Sequence, residues 1–189
     1  DIHHAGTAMR FLTSFYAIQE GRKTILTGSE RMKQRPIKPL VDALRELGAE
    51  INYLENEGFP PLEIHGKRIE KNFVKIPANI SSQFITSLLL IGASLENGLE
   101  IELKGEITSR SYIKMTLKIL KDIGIESRFE RNSIKILSSE TSLYNKQLEK
   151  HFHTSKIKHY TVESDWSSAS YFYSLAAIGK KRIHLKSFY

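Results

Sequence analysis

Apolar residues along this chain fall into two spacings. Leu40, Ala43, Leu44 and Leu47 recur at i, i+3, i+4 and i+7, which predicts an amphipathic helix over Pro36 to Leu47. Gly48 then suits the left-handed position that ends such a helix. Gly6 to Ile18 reads as an apolar helix, and short strands are predicted at Lys23 to Thr27, Glu50 to Leu54 and Leu62 to His65. The last two are joined by a turn bearing Pro60 and Pro61.

The same order returns further along. Phe73 to Ile76 predicts a strand, Ser82 to Leu95 a helix, Leu99 to Lys104 a strand, and Tyr112 to Ile123 a helix closed by Gly124. Strands at Glu126 to Glu130 and Ser133 to Leu137 complete it as β-α-β-α-β-β. With Thr7 set on Ser82 the offset is 75 residues, and with Gly48 set on Gly124 it is 76. Two independent anchors at nearly one spacing mark a duplicated supersecondary block, too long for a solenoid unit. A polar, basic stretch from Ser138 to His159 reads as an exposed excursion. A third block then opens with a strand at Tyr160 to Val162, a helix from Ser167 and a strand at Arg182 to Leu185.

Each block's first helix opens on small or hydroxyl residues: Ala5-Gly6-Thr7, Ser81-Ser82-Gln83 and Ser167-Ser168. The first turn of a helix exposes unpaired N–H groups and the positive end of its dipole, so such turns seat phosphate or carboxylate. Ordinary capping explains any one of them, and only their repetition favours an anion seat. Arg35, ahead of Pro36 at an expected helix start, carries a charge unfavourable to the dipole there and so reads as an anion contact. Asp165 reads as a cap for the Ser167 helix, and Ser109 and Tyr112 as capping and packing residues of the helix beginning at Tyr112. His3 and His4 lack the carboxylate or third His that would complete a metal site.

Composition narrows the function classes. The 189 residues are 40% apolar and contain no Cys, which removes disulfides, thiolate metal sites and a cysteine nucleophile and fits a reducing cytoplasm. No apolar window approaches a membrane span. The net charge of +7 suits anionic ligands. Phe11, Phe15, Tyr16, Tyr171, Phe172 and Tyr173 lie inside helical patterns rather than among Arg and Lys on strands, which argues against nucleic acid. The chain starts inside the first seat and stops part-way through its third block, so it is expected to be a piece of a longer polypeptide, with sheet edges open to association.

Four ordered motifs carry a family resemblance: His4 to Leu12, Arg31 to Ile37 followed by Leu40 to Leu44, Ser81 to Phe84, and Glu163 to Tyr171. Together they resemble the 5-enolpyruvylshikimate-3-phosphate synthases over nearly the whole chain. The resemblance implies an α/β fold of repeated β-α-β-α-β-β units, helices inside and sheets outward, with residues 1–162 in one domain and 163–189 beginning a second. It implies transfer of the enolpyruvyl group of phosphoenolpyruvate to the 5-hydroxyl of shikimate 3-phosphate in the shikimate pathway of aromatic amino acid biosynthesis. No cofactor or metal takes part, the parent is a cytoplasmic monomer, and its partners are small anionic substrates rather than nucleic acid or membrane.

By the same resemblance Ser81, Ser82, Gln83, Ser109 and Tyr112 contact shikimate 3-phosphate, and Gly6, Arg35 and Gln83 contact phosphoenolpyruvate. The acid and base for proton transfer come from segments absent here, so the chain alone is expected to be inactive and to carry mainly the shikimate 3-phosphate half-site. His4, Phe11 and Trp166 depart from the family pattern, where Asn, Pro and a small residue are common. The alternatives are a nucleotide-sugar enolpyruvyl transferase, disfavoured by the missing Cys, and a noncatalytic anion-binding module.

Overall fold

Residues 1–138, 161–162 and 164–186 are described by a computed structural model, in which the chain divides into two compact units, 1–154 and 155–189. In the first unit the elements run α1 (Gly6–Ala17), β1 (Lys23–Leu26), α2 (Glu30–Lys33), α3 (Lys38–Leu47), β2 (Glu50–Tyr53) and β3 (Leu62–His65). They continue as β4 (Phe73–Pro77), α4 (Ser82–Gly92), β5 (Leu99–Lys104), α5 (Arg110–Asp122), β6 (Ser127–Glu130) and β7 (Ser133–Ile136). The duplication is visible in the pairing. One sheet is ordered β1-β3-β2, and the other repeats that order as β5-β7-β6 with β4 added parallel to β5.

Each sheet buries one face. Along β4, Val74 and Ile76 are buried between exposed Phe73, Lys75 and Pro77, and along β3, Leu62 and Ile64 are buried while Glu63 and His65 lie between strands on the outer face. The helices fill the other side. α4 is apolar nearly all round, and Phe84, Ile85, Leu88, Leu89 and Ile91 are all buried, as expected of a helix enclosed by its neighbours. Leu40, Val41, Leu44 and Leu47 form the buried stripe of α3, whose last turn closes on Gly48 at φ 110°. Gly124, at φ 97°, plays the same part after α5.

Three helices lie parallel with their first turns at one end. Gln83 near the start of α4 meets Thr7 near the start of α1, and one to two turns on, the Ser87 hydroxyl donates to the Arg10 carbonyl at 2.8 Å and meets Ser14 Oγ at 2.5 Å. On the other side of α4, Thr86 Oγ1 lies 3.4 Å from Thr116 Oγ1 of α5. The Thr108 hydroxyl, in the loop before α5, donates to the carbonyls of Ala78 at 3.1 Å and Ile80 at 3.0 Å in the loop before α4. Parallel helices add their dipoles, so this end of the unit is electropositive before any side-chain charge is counted.

Two sequence expectations need correction here. α3 begins at Lys38 with Pro39 as its second residue, and a short helix, α2, precedes it. Arg35 therefore follows the carbonyl end of α2, and the dipole argument made for it from sequence does not hold. A four-residue helix has no apolar period to read, although Ser29 caps it by accepting from the Met32 N–H at 3.3 Å.

In the second unit, α6 (Trp166–Gly179) is capped by Asp165, whose carboxylate accepts from the Ser167 and Ser168 N–H groups at 2.9 and 3.1 Å. The strand expected at Arg182 to Leu185 does not form: 181–186 carry no regular structure. A strand exists only where a neighbour takes its N–H and C=O groups, and no partner strand is present among the described residues. Of the strand expected at Tyr160 to Val162, residues 161–162 are likewise irregular and Tyr160 lies outside the described residues, as does nearly all of the excursion from Ser138 to His159.

Candidate functional site

The first turn of α1 has no side-chain cap, because Ala5 stands at its N-cap position. Gly6 is buried there under two guanidinium groups. A Cβ at Gly6 would collide with Arg35 Nη1 and would lie 2.8 Å from both Arg35 Cζ and Arg10 Nη1. Only glycine leaves room for both cations at this turn. Arg35 reaches it from the end of α2, where its N–H donates to the Met32 carbonyl at 3.0 Å.

Arg10 was not singled out from sequence as a site residue. It is 8% exposed, its Nη1 donates to the Gly6 carbonyl at 2.7 Å, and its guanidinium lies 5.3 Å from the centre of the Phe84 ring. Burial, and then the neighbouring Arg35 charge, depress its pKa. Among the described residues no carboxylate pairs with either arginine. The available signal was a charge on the otherwise enclosed stripe formed by Met9, Thr13 and Ala17.

Gln83 joins this seat to the next one. Its Nε2 donates to Thr7 Oγ1 at 3.0 Å, while its own N–H is taken by the Ser81 hydroxyl at 3.3 Å. Ser81 and Ser82 are half-buried at the start of α4. Ser109 precedes α5 in the left-handed region at φ 53°, ψ 40°, and its side chain makes no capping bond. The paired Thr108 bonds hold that loop against the Ala78 to Ile80 loop, so the serines of both loops share one end of the unit. Tyr112, 58% exposed, stands on the first turn of α5.

A cleft of about 530 Å³ beside the arginines is lined by His4, Arg31, Met32 and Arg35. Its wall is braced by the Ser29 hydroxyl, 2.8 Å from His4 Nδ1. The third expected seat behaves differently. Asp165 occupies the first turn of α6 with its own carboxylate, held below its ordinary pKa by the Ser168 hydroxyl and the Ser167 and Ser168 N–H groups. That turn is already neutralised.

A mixed α/β unit with duplicated strand order, its helix starts gathered at one end and two arginines crowding the uncapped first turn of α1, defines a repeat-built α/β protein. Residues 1–188 match the family profile described as EPSP synthase (3-phosphoshikimate 1-carboxyvinyltransferase). The chain belongs to the EPSP synthase family. It is 49% identical over 179 residues to the 3-phosphoshikimate 1-carboxyvinyltransferase of Bacteroides fragilis, covering 94% of this chain and 40% of that protein. The Haemophilus influenzae protein of the same name is 45% identical over 186 residues, covering 95% of this chain and 40% of its own length. The chain thus spans about 40% of the length of these relatives. An EPSP synthase structure from Acinetobacter baumannii superposes with a TM-score of 0.60 at 23% identity over 73% of this chain and 30% of that one, a likeness of fold.

Proposed function

We propose that this chain contributes the shikimate 3-phosphate half-site, and part of the phosphoenolpyruvate seat, to an enzyme that transfers the enolpyruvyl group to the 5-hydroxyl of shikimate 3-phosphate with release of phosphate. The observation that carries this reading is the gathering of the α1, α4 and α5 first turns, with two unpaired arginines, at one end of the first unit. Ser81, Ser82 and Ser109 offer hydroxyls to the phosphate of shikimate 3-phosphate, and Tyr112 flanks its ring. Gln83 stands between the two ligands. The Gly6 turn and the Arg35 fork receive phosphoenolpyruvate, a planar guanidinium matching carboxylate or phosphate oxygens in pairs.

Addition of the 5-hydroxyl to the phosphate-bearing carbon of phosphoenolpyruvate requires a base for that hydroxyl and an acid for the terminal vinyl carbon within hydrogen-bond reach, and the enol ether product forms when phosphate and a proton of that carbon are then lost. Among the described residues no Asp or Glu side chain bonds to Ser81, Ser82, Gln83 or Arg35. This chain's share of catalysis is then positioning and electrostatics, and by itself it binds without turnover. Residues 1–162 fall to one domain and 163–189 to a second, and the parent acts as a cytoplasmic monomer.

The test is a phosphate-release assay. Joining this chain to the segments that make up the remainder of the Bacteroides fragilis relative should yield release dependent on both substrates, whereas the chain alone releases none. A joined protein that folds and releases no phosphate overturns the reading.

A further inference from the structure

Ser109 is held from both sides in a conformation it does not favour. At φ 53° a residue with a Cβ is strained, and it persists only where its surroundings fix it. On one side the Ser109 carbonyl accepts from the Tyr112 N–H at 3.0 Å as α5 begins. On the other stands Thr108, whose N–H donates to the Ala78 carbonyl at 3.2 Å and whose hydroxyl reaches the Ala78 and Ile80 carbonyls at 3.1 and 3.0 Å. Ala78 is itself anchored, since its N–H donates to the Lys104 carbonyl at 2.8 Å where the parallel pair of β4 and β5 ends.

The first copy of the repeat ties its loops in the same way. Ser29, in the loop after β1, donates its N–H to the His3 carbonyl at 3.1 Å in the loop before α1, and its hydroxyl lies 2.8 Å from His4 Nδ1. In the second copy the tie runs from the loop that carries Ser109 to the loop that leads into Ser81 and Ser82. Hydroxyls on two separate loops reach one phosphate only if the loops keep a fixed spacing, and a spacing set before the ligand arrives avoids the cost of ordering it on binding. We infer that Thr108 is a positioning residue for shikimate 3-phosphate: its hydroxyl locks the two loops together and so holds Ser109 at the end of the unit where Ser81 and Ser82 stand. This rests on the functional reading given above, and it adds a residue that acts without touching the ligand.

Thr108→Val keeps the shape of the side chain and removes the hydroxyl, whereas Thr108→Ser keeps the hydroxyl. By calorimetric titration of the 189-residue chain, affinity for shikimate 3-phosphate should fall by about threefold to tenfold in Thr108→Val, for loss of a hydrogen bond of ordinary strength, and return to within about twofold of wild type in Thr108→Ser. Affinity for phosphoenolpyruvate should stay within about twofold in both. In a Ser109→Gly background Thr108→Val should bring little further loss, because the two residues act through one contact, while independent structural effects multiply.

A Thr108→Val protein with unchanged shikimate 3-phosphate affinity, with both ligands weakened alike, or with a loss undiminished in the Ser109→Gly background overturns the inference. Should Thr108→Val not fold, amide hydrogen exchange in the wild-type chain decides. A ligand that the tie helps to bind must by linkage hold the tie closed, so shikimate 3-phosphate should slow exchange of the Thr108 N–H more than that of the Ile125 N–H beyond the far end of α5, and equal slowing overturns the inference. A wild-type chain that does not bind shikimate 3-phosphate overturns the functional reading together with the inference. Binding by the wild type that Thr108→Val leaves untouched overturns the inference alone.

Discussion

The side-chain amide of Gln83 donates to the hydroxyl of Thr7 across 3.0 Å, tying together the first turns of two helices that open the two copies of the repeat. Gln83 is the one side chain shared by both expected ligand seats. Gln83→Met removes the link and the donor, so affinities for shikimate 3-phosphate and phosphoenolpyruvate should both fall, each by about fivefold to tenfold for a lost hydrogen bond of ordinary strength. Calorimetric titration of the variant checks this. A loss confined to one ligand would place Gln83 in one seat only.

Gly6 tests the packing of the arginine pair. Gly6→Ala sets a Cβ where Arg35 Nη1 lies and 2.8 Å from Arg10 Nη1, so Arg35 must swing away. Affinity for phosphoenolpyruvate should drop by about tenfold or more, since a bidentate contact is lost, while that for shikimate 3-phosphate changes little. Unaltered phosphoenolpyruvate binding would show that Arg35 does not act from this position.

Ser109 combines an unusual backbone with a free hydroxyl. At φ 53° a Cβ is disfavoured, so Ser109→Gly should leave stability unchanged or raise it by up to about 1 kcal/mol, read from urea unfolding. Shikimate 3-phosphate binding should nevertheless weaken. A destabilised Ser109→Gly with intact binding would make Ser109 a structural residue.

The repeat was legible because periodicity reports which face is buried, and both copies bury the same face. β5-β7-β6 repeats β1-β3-β2, and Gly48 and Gly124 each end a helix where expected. What escaped reading depended on tertiary partners. α2 is too short for a period, the start of α3 moved from Pro36 to Lys38, and the stretch at Arg182 to Leu185 has no neighbouring strand. Of the candidate site, the serines and Gln83 were visible as helix starts. Arg10 was not, because an arginine on a helix reads as solvated until the covering Phe84 and Arg35 are placed.

On the outer face of the first sheet, Glu63 lies 2.7 Å from Lys23 Nζ and 3.0 Å from His65 Nε2. Hydrogen bonds from Lys23 and then His65 hold its pKa down, from 4.5 to about 2. A depressed carboxylate pKa means that the folded chain prefers the ionised form. Its contribution is therefore complete above pH 4.5 and is lost as the pH falls from there through about 2. Glu63→Gln should flatten the fall of the urea midpoint between those pH values. An unchanged slope would mean that Lys23 and His65 do not hold the ionised form.

The proposed function depends on a phosphate seat at the start of α4, and Ser82 tests it most directly. Calorimetric titration of the 189-residue chain with shikimate 3-phosphate should show saturable binding at millimolar concentration or tighter, which Ser82→Ala weakens by about fivefold or more through loss of a hydroxyl to a charged oxygen. Absence of binding, or binding that Ser82→Ala leaves untouched, would contradict it.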